Sequence, residues 1–301
     1  MAPATLLTGG TGLIGGRLVP ALAERGAVRL ATRRPETPGP AGATVVGWDG
    51  TTLPDAALDG VDTVVHLSGD PVFGGLPTRA RRGRIWSSRV VSTERLVAQI
   101  AQRPPGERPR TLVCASAVGF YGDRGETPLP EGAGPGEGFL ADLCVAWEAA
   151  ANRARALGLR VVRVRFGIVL ARSAGALGLM APIFRTGLAG RLGSGHQWFP
   201  WIHIDDAAAL VCRAVADPGW SGPVNAVAPA PVRNRELTVA LAARLHRPAL
   251  LPVPSVAVRA ALGPLADELL GSKRVVPEHA TKAGFVWQHP ALERALADLL
   301  A

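Results

Sequence analysis

Near the start of the chain, Gly9, Gly10, Gly12 and Gly15 fall close together. The apolar pair Leu6-Leu7 precedes them, and a helical pattern carrying Leu13, Leu18, Leu22 and Ala23 on a broad apolar face follows. Strand, glycine turn and helix, in that order, is the context that a dinucleotide-binding turn requires. One glycine permits the tight turn, one lets the backbone approach a pyrophosphate, and one lets the helix pack on the strand. The helix N-terminus then presents free N–H groups and positive partial charge to the phosphates. Two spacings are available: Gly10, Gly12 and Gly15 fit G-x-G-x-x-G, and Gly9, Gly12 and Gly15 fit G-x-x-G-x-x-G. The stretch nominates Gly9, Thr11, Gly12, Leu13, Ile14 and Gly15 as cofactor-binding residues. A glycine-rich turn without a ligand is the alternative.

Three further groups sit where a second strand, a fourth strand and a fifth strand should end. Arg33 and Arg34 close the run Val28 to Thr32. An acidic residue there would bind the ribose 2′-hydroxyl of NAD, whereas arginine accommodates the 2′-phosphate of NADP, and its planar fork suits phosphate. The expected cofactor is therefore NADP(H), with a solvated arginine pair as the alternative. Asp49, after the third strand Thr44 to Val46, either faces the adenine or is an ordinary loop carboxylate. Leu67, Ser68 and Gly69 end the strand Val61 to Leu67, and Gly69 would let the backbone come near the cofactor. Ser116 follows the strand Thr111 to Ala115, at the strand end where open α/β sheets place ligands. Tyr121, the only tyrosine in the chain, comes shortly after.

The elements that must position these groups alternate. Helical patterns cover Ser87 to Gln102 and Phe139 to Leu157, and another strand covers Arg160 to Arg165. Strands alternating with helices through residue 165 predict an α/β fold, a Rossmann-type doubly wound parallel sheet with helices on both faces. Beyond it come an apolar segment from Ala176, a glycine-rich turn to Gly195, an extended segment Trp198 to Ile204, and a helix Ala207 to Ala216 that Asp205 or Asp206 can cap. A strand Val224 to Val227, a helix Glu236 to Leu245 and a closing helix Ala291 to Ala301 follow.

Composition narrows the function. The chain has 301 residues, of which 48% are hydrophobic, enough for a large core, and a formal charge of +9. The excess is arginine; the only lysines are Lys273 and Lys282. Apart from Arg79, Arg81, Arg82 and Arg84 the arginines are scattered, and no aromatic ladder accompanies them, so no nucleic-acid partner is expected. The three cysteines, Cys114, Cys144 and Cys212, give neither a disulfide framework nor metal-ligand spacing, and the six histidines do not cluster, so no metal is expected. No leader or membrane span is visible, which predicts a cytoplasmic protein.

Read together, "TGGTGLIG" at 8–15, "HLSG" at 66–69, "CASAVGFYG" at 114–122 with "DRGE" after it, "WIHIDD" at 201–206, "GPVNAVAP" at 222–229, "LLPVPSVAVRAALGPLADELLGSKRVVP" from 250 and "GF" at 284–285 resemble an atypical branch of the extended short-chain dehydrogenase/reductases. Its members are called epimerase family proteins and carry a C-terminal domain of unknown function. The resemblance implies a Rossmann domain binding NADP(H), formed by 1–166 plus about 201–227. It also implies a smaller C-terminal α/β substrate domain, formed by 167–200 plus 228–301.

The departures from the wider superfamily are informative. Typical members use a tyrosine and, four residues on, a lysine, in the helix after the fifth strand. Aligning Glu148 with a glutamate common in that helix puts Leu140 at the tyrosine position and Cys144 at the lysine position, beside the nicotinamide ribose. No lysine precedes Lys273, so a shift of alignment restores nothing. By resemblance, Ser116 is a substrate-polarising group and Tyr121 a substrate-contacting residue and candidate proton donor. His203 reads as a structural histidine. In extended members the helices after the fourth and fifth strands often build a homodimer; Val90, Val97, Ile100, Leu143 and Trp147 would supply that face here, or would pack on the sheet. The expectation is an oxidoreductase or epimerase acting on a small polar molecule. The alternative is an NADP(H)-dependent sensor or binding protein that lacks the catalytic pair.

Overall fold

The computed structural model describes residues 4–301 apart from 74, 76, 77 and 173. Strand β1 (Ala4–Thr8) leads through the glycine turn into α1 (Leu13–Ala23), then β2 (Val28–Thr32), β3 (Ala43–Gly47) and β4 (Val61–His66). After β4 come α2 (Arg79–Trp86), a π-helical turn Ser87–Val91 and α3 (Ser92–Gln102). Strand β5 (Thr111–Ala117), a 3₁₀ turn Val118–Tyr121, the short β6 (Pro128–Leu129) and α4 (Phe139–Asn152) follow, and β7 (Arg160–Phe166) completes the regular alternation. The expected strands therefore form, within a residue or two at each end. Helix α2 escapes sequence reading because it has no apolar periodicity. Only its Ile85 is buried, and Thr78 starts it by accepting a hydrogen bond from the Arg81 N–H at 3.2 Å.

The second half begins with β8 (Ile168–Ala171), α5 (Gly175–Arg185), β9 (Trp198–Phe199), β10 (Trp201–His203), α6 (Ile204–Ala216) and β11 (Gly222–Ala226). It ends with β12 (Val232–Arg233), α7 (Asn234–Arg244), α8 (Ser255–Leu262), α9 (Asp267–Leu270), β13 (Arg274–Val275), α10 (Glu278–Lys282) and α11 (Leu292–Leu299). The main sheet has seven parallel strands in the order β3-β2-β1-β4-β5-β7-β11. Its strands read as near-continuous apolar runs because helices cover both faces. The chain order reverses between β1 and β4, and in open α/β sheets the crevice at that switch point is where ligands bind.

The C-terminal half is tied back to the sheet by polar contacts. Small parallel pairs join β10 to β8 and β13 to β6, and an antiparallel pair joins β12 to β9. A second core of Leu177, Phe184, Phe199, Trp201, Leu237, Leu241 and Leu296 lies under α5, α7 and α11. Asp206, on α6, accepts the Gln288 and His289 N–H groups at 2.7 and 3.0 Å. The cap of α6 corrects the sequence reading: the His203 Nδ1 accepts the Asp205 N–H at 3.1 Å, while Asp205 itself pairs with Arg17. Val90, Val97, Ile100, Leu143 and Trp147 are all buried in the main core, so they pack inside the subunit. Among the described residues, no helix is long and apolar enough to cross a membrane.

Candidate functional site

A cleft of about 980 Å3 opens over the C-terminal ends of β1, β2 and β4. Its floor is the glycine turn. Gly9 adopts φ +73°, and a Cβ there would lie 2.8 Å from the Leu67 carbonyl carbon and the Ser68 nitrogen, so only glycine lets the turn pass the end of β4. Gly12 precedes α1 in extended conformation with no side-chain cap, leaving first-turn N–H groups of the helix available to an anion. A Cβ on Gly15 would stand 2.3 Å from the Gly9 carbonyl oxygen, so Gly15 is what brings helix and strand into contact. The spacing in use is therefore Gly9, Gly12 and Gly15, while Gly10 accommodates Leu30. Thr11 lines the cleft; Leu13, exposed, and Ile14, half-buried against the core, start α1, and Leu13 also meets Gly175 at the start of α5.

The remaining cofactor candidates separate into two groups. Arg33, Arg34, Leu67, Ser68 and Gly69 all line the cleft, together with Trp48, Asp49 and Thr51. Both arginines are exposed at its outer edge. The Asp49 carboxylate is engaged locally, accepting the Thr51 and Thr52 N–H groups at 2.7 Å, and these backbone bonds hold it below the usual carboxylate range. Cys144 does not line the cleft. It is 2% exposed on α4, and burial pushes its thiol up to about 12.

His66 ends β4 beneath the cleft. Its Nδ1 meets the Thr8 hydroxyl at 2.7 Å, the residue is fully enclosed, and burial lowers its pKa to about 4. The imidazole is therefore neutral, and its Nε2 has no partner among the described residues.

Ser116 and Tyr121 come together, but inside the protein. The Ser116 hydroxyl donates to Glu148 Oε1 at 2.8 Å, and Arg165 grips the same carboxylate with two bonds, Nε to Oε1 at 2.7 Å and Nη2 to Oε2 at 2.9 Å. Arg165 also donates to the Tyr121 hydroxyl at 2.8 Å, which donates to Asn225 Oδ1 at 2.7 Å. Burial raises the Tyr121 phenol above its ordinary value, with Arg165 opposing. Tyr121 is 0% exposed and Ser116 2%. Both hydroxyls, expected at the substrate, are engaged in a network that joins β5, α4, β7 and β11.

Two charged residues near the site escaped sequence reading. Arg89 lies in the π-helical turn, a feature frequent at functional sites. Its guanidinium backs onto Gly69, 2.9 Å from where a Cβ would be, and donates to the Asp70 carbonyl at 2.8 Å. Burial lowers its pKa, opposed by Cys144 and Asp70. Glu268, on α9, sets its Oε2 3.3 Å from the corresponding point on Gly119, which also meets Leu140 and Cys144. The pattern gave no pointer to either, since Arg89 sits in a helix read from its apolar positions and Glu268 lies far along the chain.

His203, Asp205 and His289 bring three donor atoms within 4.8 Å of one another. Arg17 holds Asp205 Oδ1 at 2.5 Å and the His203 Nδ1 accepts the Asp205 N–H, while the His203 Nε2 has no hydrogen-bond partner among the described residues. The two imidazoles stack, with centroids 3.7 Å apart.

A seven-stranded parallel sheet with a glycine-floored cleft at its switch point defines a Rossmann-type dinucleotide-binding fold. Residues 5–225 match the NAD dependent epimerase/dehydratase family, and the chain belongs to it. Residues 253–299 match a domain of unknown function, DUF1731. Epimerase family protein Mb2239 of Mycobacterium bovis is 40% identical over 296 residues, spanning 96% of this chain and 95% of that protein. The human epimerase family protein SDR39U1 is 36% identical over 301 residues, spanning 98% and 99%. A crystal structure of human SDR39U1 (isoform 2) with NADPH matches with a TM-score of 0.87 at 33% identity over 99% of each chain.

Proposed function

We propose that this protein is an NADP(H)-dependent oxidoreductase or epimerase acting on a small polar substrate. The observation that carries the reading is the cleft itself, with an uncapped helix N-terminus at its floor and two exposed guanidinium groups at its outer edge. The α1 N-terminus would hold the pyrophosphate, Arg33 and Arg34 the 2′-phosphate, and the β4 end from Leu67 to Gly69 the inner ribose. NADPH, present in the crystal structure of the human relative, supplies a hydride when bound. The Arg89 guanidinium stands behind Gly69, where the β4 end would meet the inner ribose. Three free thiols suit a reducing compartment such as the cytoplasm.

The second reading, an NADP(H)-dependent sensor, is favoured by the enclosure of Ser116 and Tyr121. One experiment separates the two. The protein is incubated with NADPH deuterated at the transferable position and a metabolite extract, and products are searched for the label by mass spectrometry. Label in a product supports the oxidoreductase, a new unlabelled epimer supports the epimerase, and retention of NADPH with neither supports the sensor.

A further inference from the structure

Helix α5 is apolar on both sides. From Gly175 to Phe184 it carries no charged residue. Leu177, Ala181 and Phe184 fill the second core, while Leu179 and Ile183, one turn apart on the outer side, are 60% and 56% exposed. A helix on a protein surface ordinarily turns a polar face outward; this one turns aliphatic side chains. Leu188, 66% exposed, continues the strip past the end of the helix. There it joins a second stretch of chain. Leu188 bridges to Ala249, and the Leu251 N–H donates to the Ala189 carbonyl at 3.2 Å. Leu250 and Leu251 are 79% and 52% exposed. Two stretches far apart in the chain thus build one exposed apolar face, of the kind that marks an interaction surface.

The charge pattern selects what covers it. Neither stretch, 172–204 or 237–266, contains an aspartate or a glutamate, and every formal charge in them is an arginine. Arg185, Arg191 and Arg247, interleaved with the leucines along the two stretches, are exposed. Among the described residues none of the three pairs with a carboxylate; Arg247 donates instead to the Arg185 carbonyl at 3.0 Å. A two-fold contact with a second copy through this face would set arginine against arginine. An anionic lipid surface offers each guanidinium a phosphate that it can hold with two hydrogen bonds. It also offers the leucines an acyl boundary that needs no matching pocket.

We propose that this face seats the protein on a membrane surface rich in anionic phospholipid. Leu179, Ile183, Leu188, Leu250 and Leu251 enter the headgroup boundary, and the arginines rest on its phosphates. The contact is peripheral, and α5 begins where Gly175 abuts Leu13 at the start of α1, so the seated face borders the cofactor cleft.

Co-sedimentation of the whole chain with vesicles tests the proposal. Vesicles of two parts phosphatidylcholine to one part phosphatidylglycerol should bind the protein, and phosphatidylcholine alone should bind it about tenfold less or weaker. Leu250→Ser should weaken binding about tenfold, and Arg185→Gln about fivefold. Both side chains are exposed, and circular dichroism checks that the variants fold. Arg110, 87% exposed, precedes β5 at the end of the sheet opposite the cleft. Beyond a Debye length from the lipid its charge is screened, so Arg110→Gln should stay within about twofold. No binding to the mixed vesicles overturns the proposal in favour of an acidic protein surface. Equal losses in Arg110→Gln and Arg185→Gln, or no loss in Leu250→Ser, also overturn it, because the net charge of +9 would then account for the binding. A dimer in light scattering that Leu250→Ser dissociates would assign the face to a second copy and overturn it likewise.

Discussion

His66 makes stability below neutral pH a test of how the cleft floor is built. The imidazole is enclosed against Thr8, and burial lowers its pKa from 6.5 to about 4. The unfolded chain binds a proton near pH 6.5 and the folded chain only near 4. Between these values the unfolded state holds more protons, so stability falls as pH falls. At about 1.36 kcal/mol per pKa unit, the full effect is on the order of 3 kcal/mol. Between pH 7 and pH 5 about 2 kcal/mol of it is lost. Urea unfolding at the two pH values, in the unmodified protein and in His66→Asn, isolates this contribution. The amide oxygen of asparagine can still accept from Thr8 but does not titrate. The unmodified protein should lose about 2 kcal/mol more than the variant on acidification. Equal losses in the two proteins would refute a neutral, enclosed imidazole.

Two other consequences follow from the buried groups. Glu148→Ala leaves Arg163 and Arg165 facing an empty acceptor site and should cost about 3–5 kcal/mol in chemical denaturation; a loss under 1 kcal/mol would mean that the network is dispensable. Burial pushes Cys114 and Cys144 up to about 12, so iodoacetamide at pH 8 should label at most Cys212 in the folded protein. Modification of Cys144 at the rate of a free thiol, followed by peptide mass spectrometry, would contradict its enclosure.

Much of the Rossmann half was legible because its signals are local. Glycine spacing, apolar runs and the arginines after β2 each reflect neighbours a few residues away, and the cleft gathers Gly9, Thr11, Gly12, Arg33, Arg34 and Leu67 to Gly69 as the motifs imply. The surroundings of the two candidate catalytic hydroxyls were not legible, because they depend on distant partners. Ser116 and Tyr121 sit at the expected strand end, but Glu148, Arg165 and Asn225 claim their hydroxyls, and no local pattern announces such a network. The same holds for α6, whose cap is His203 rather than an aspartate because the helix already begins at Ile204 and so takes both aspartates into its first turn. Glu268 meets Gly119 from about half the chain's length away, through a segment with no periodicity that points inward.

We propose that Arg33 and Arg34 select NADP(H) over NAD(H), and calorimetric titration with NADPH and NADH reads that selection. Charge-assisted hydrogen bonds contribute roughly 1.5–3 kcal/mol each, so one or two should give about 10- to 100-fold tighter binding of NADPH. Arg33→Ala should erase much of that preference while leaving NADH affinity unchanged, because NADH carries no 2′-phosphate. Equal affinities for the two cofactors in the unmodified protein would contradict the account.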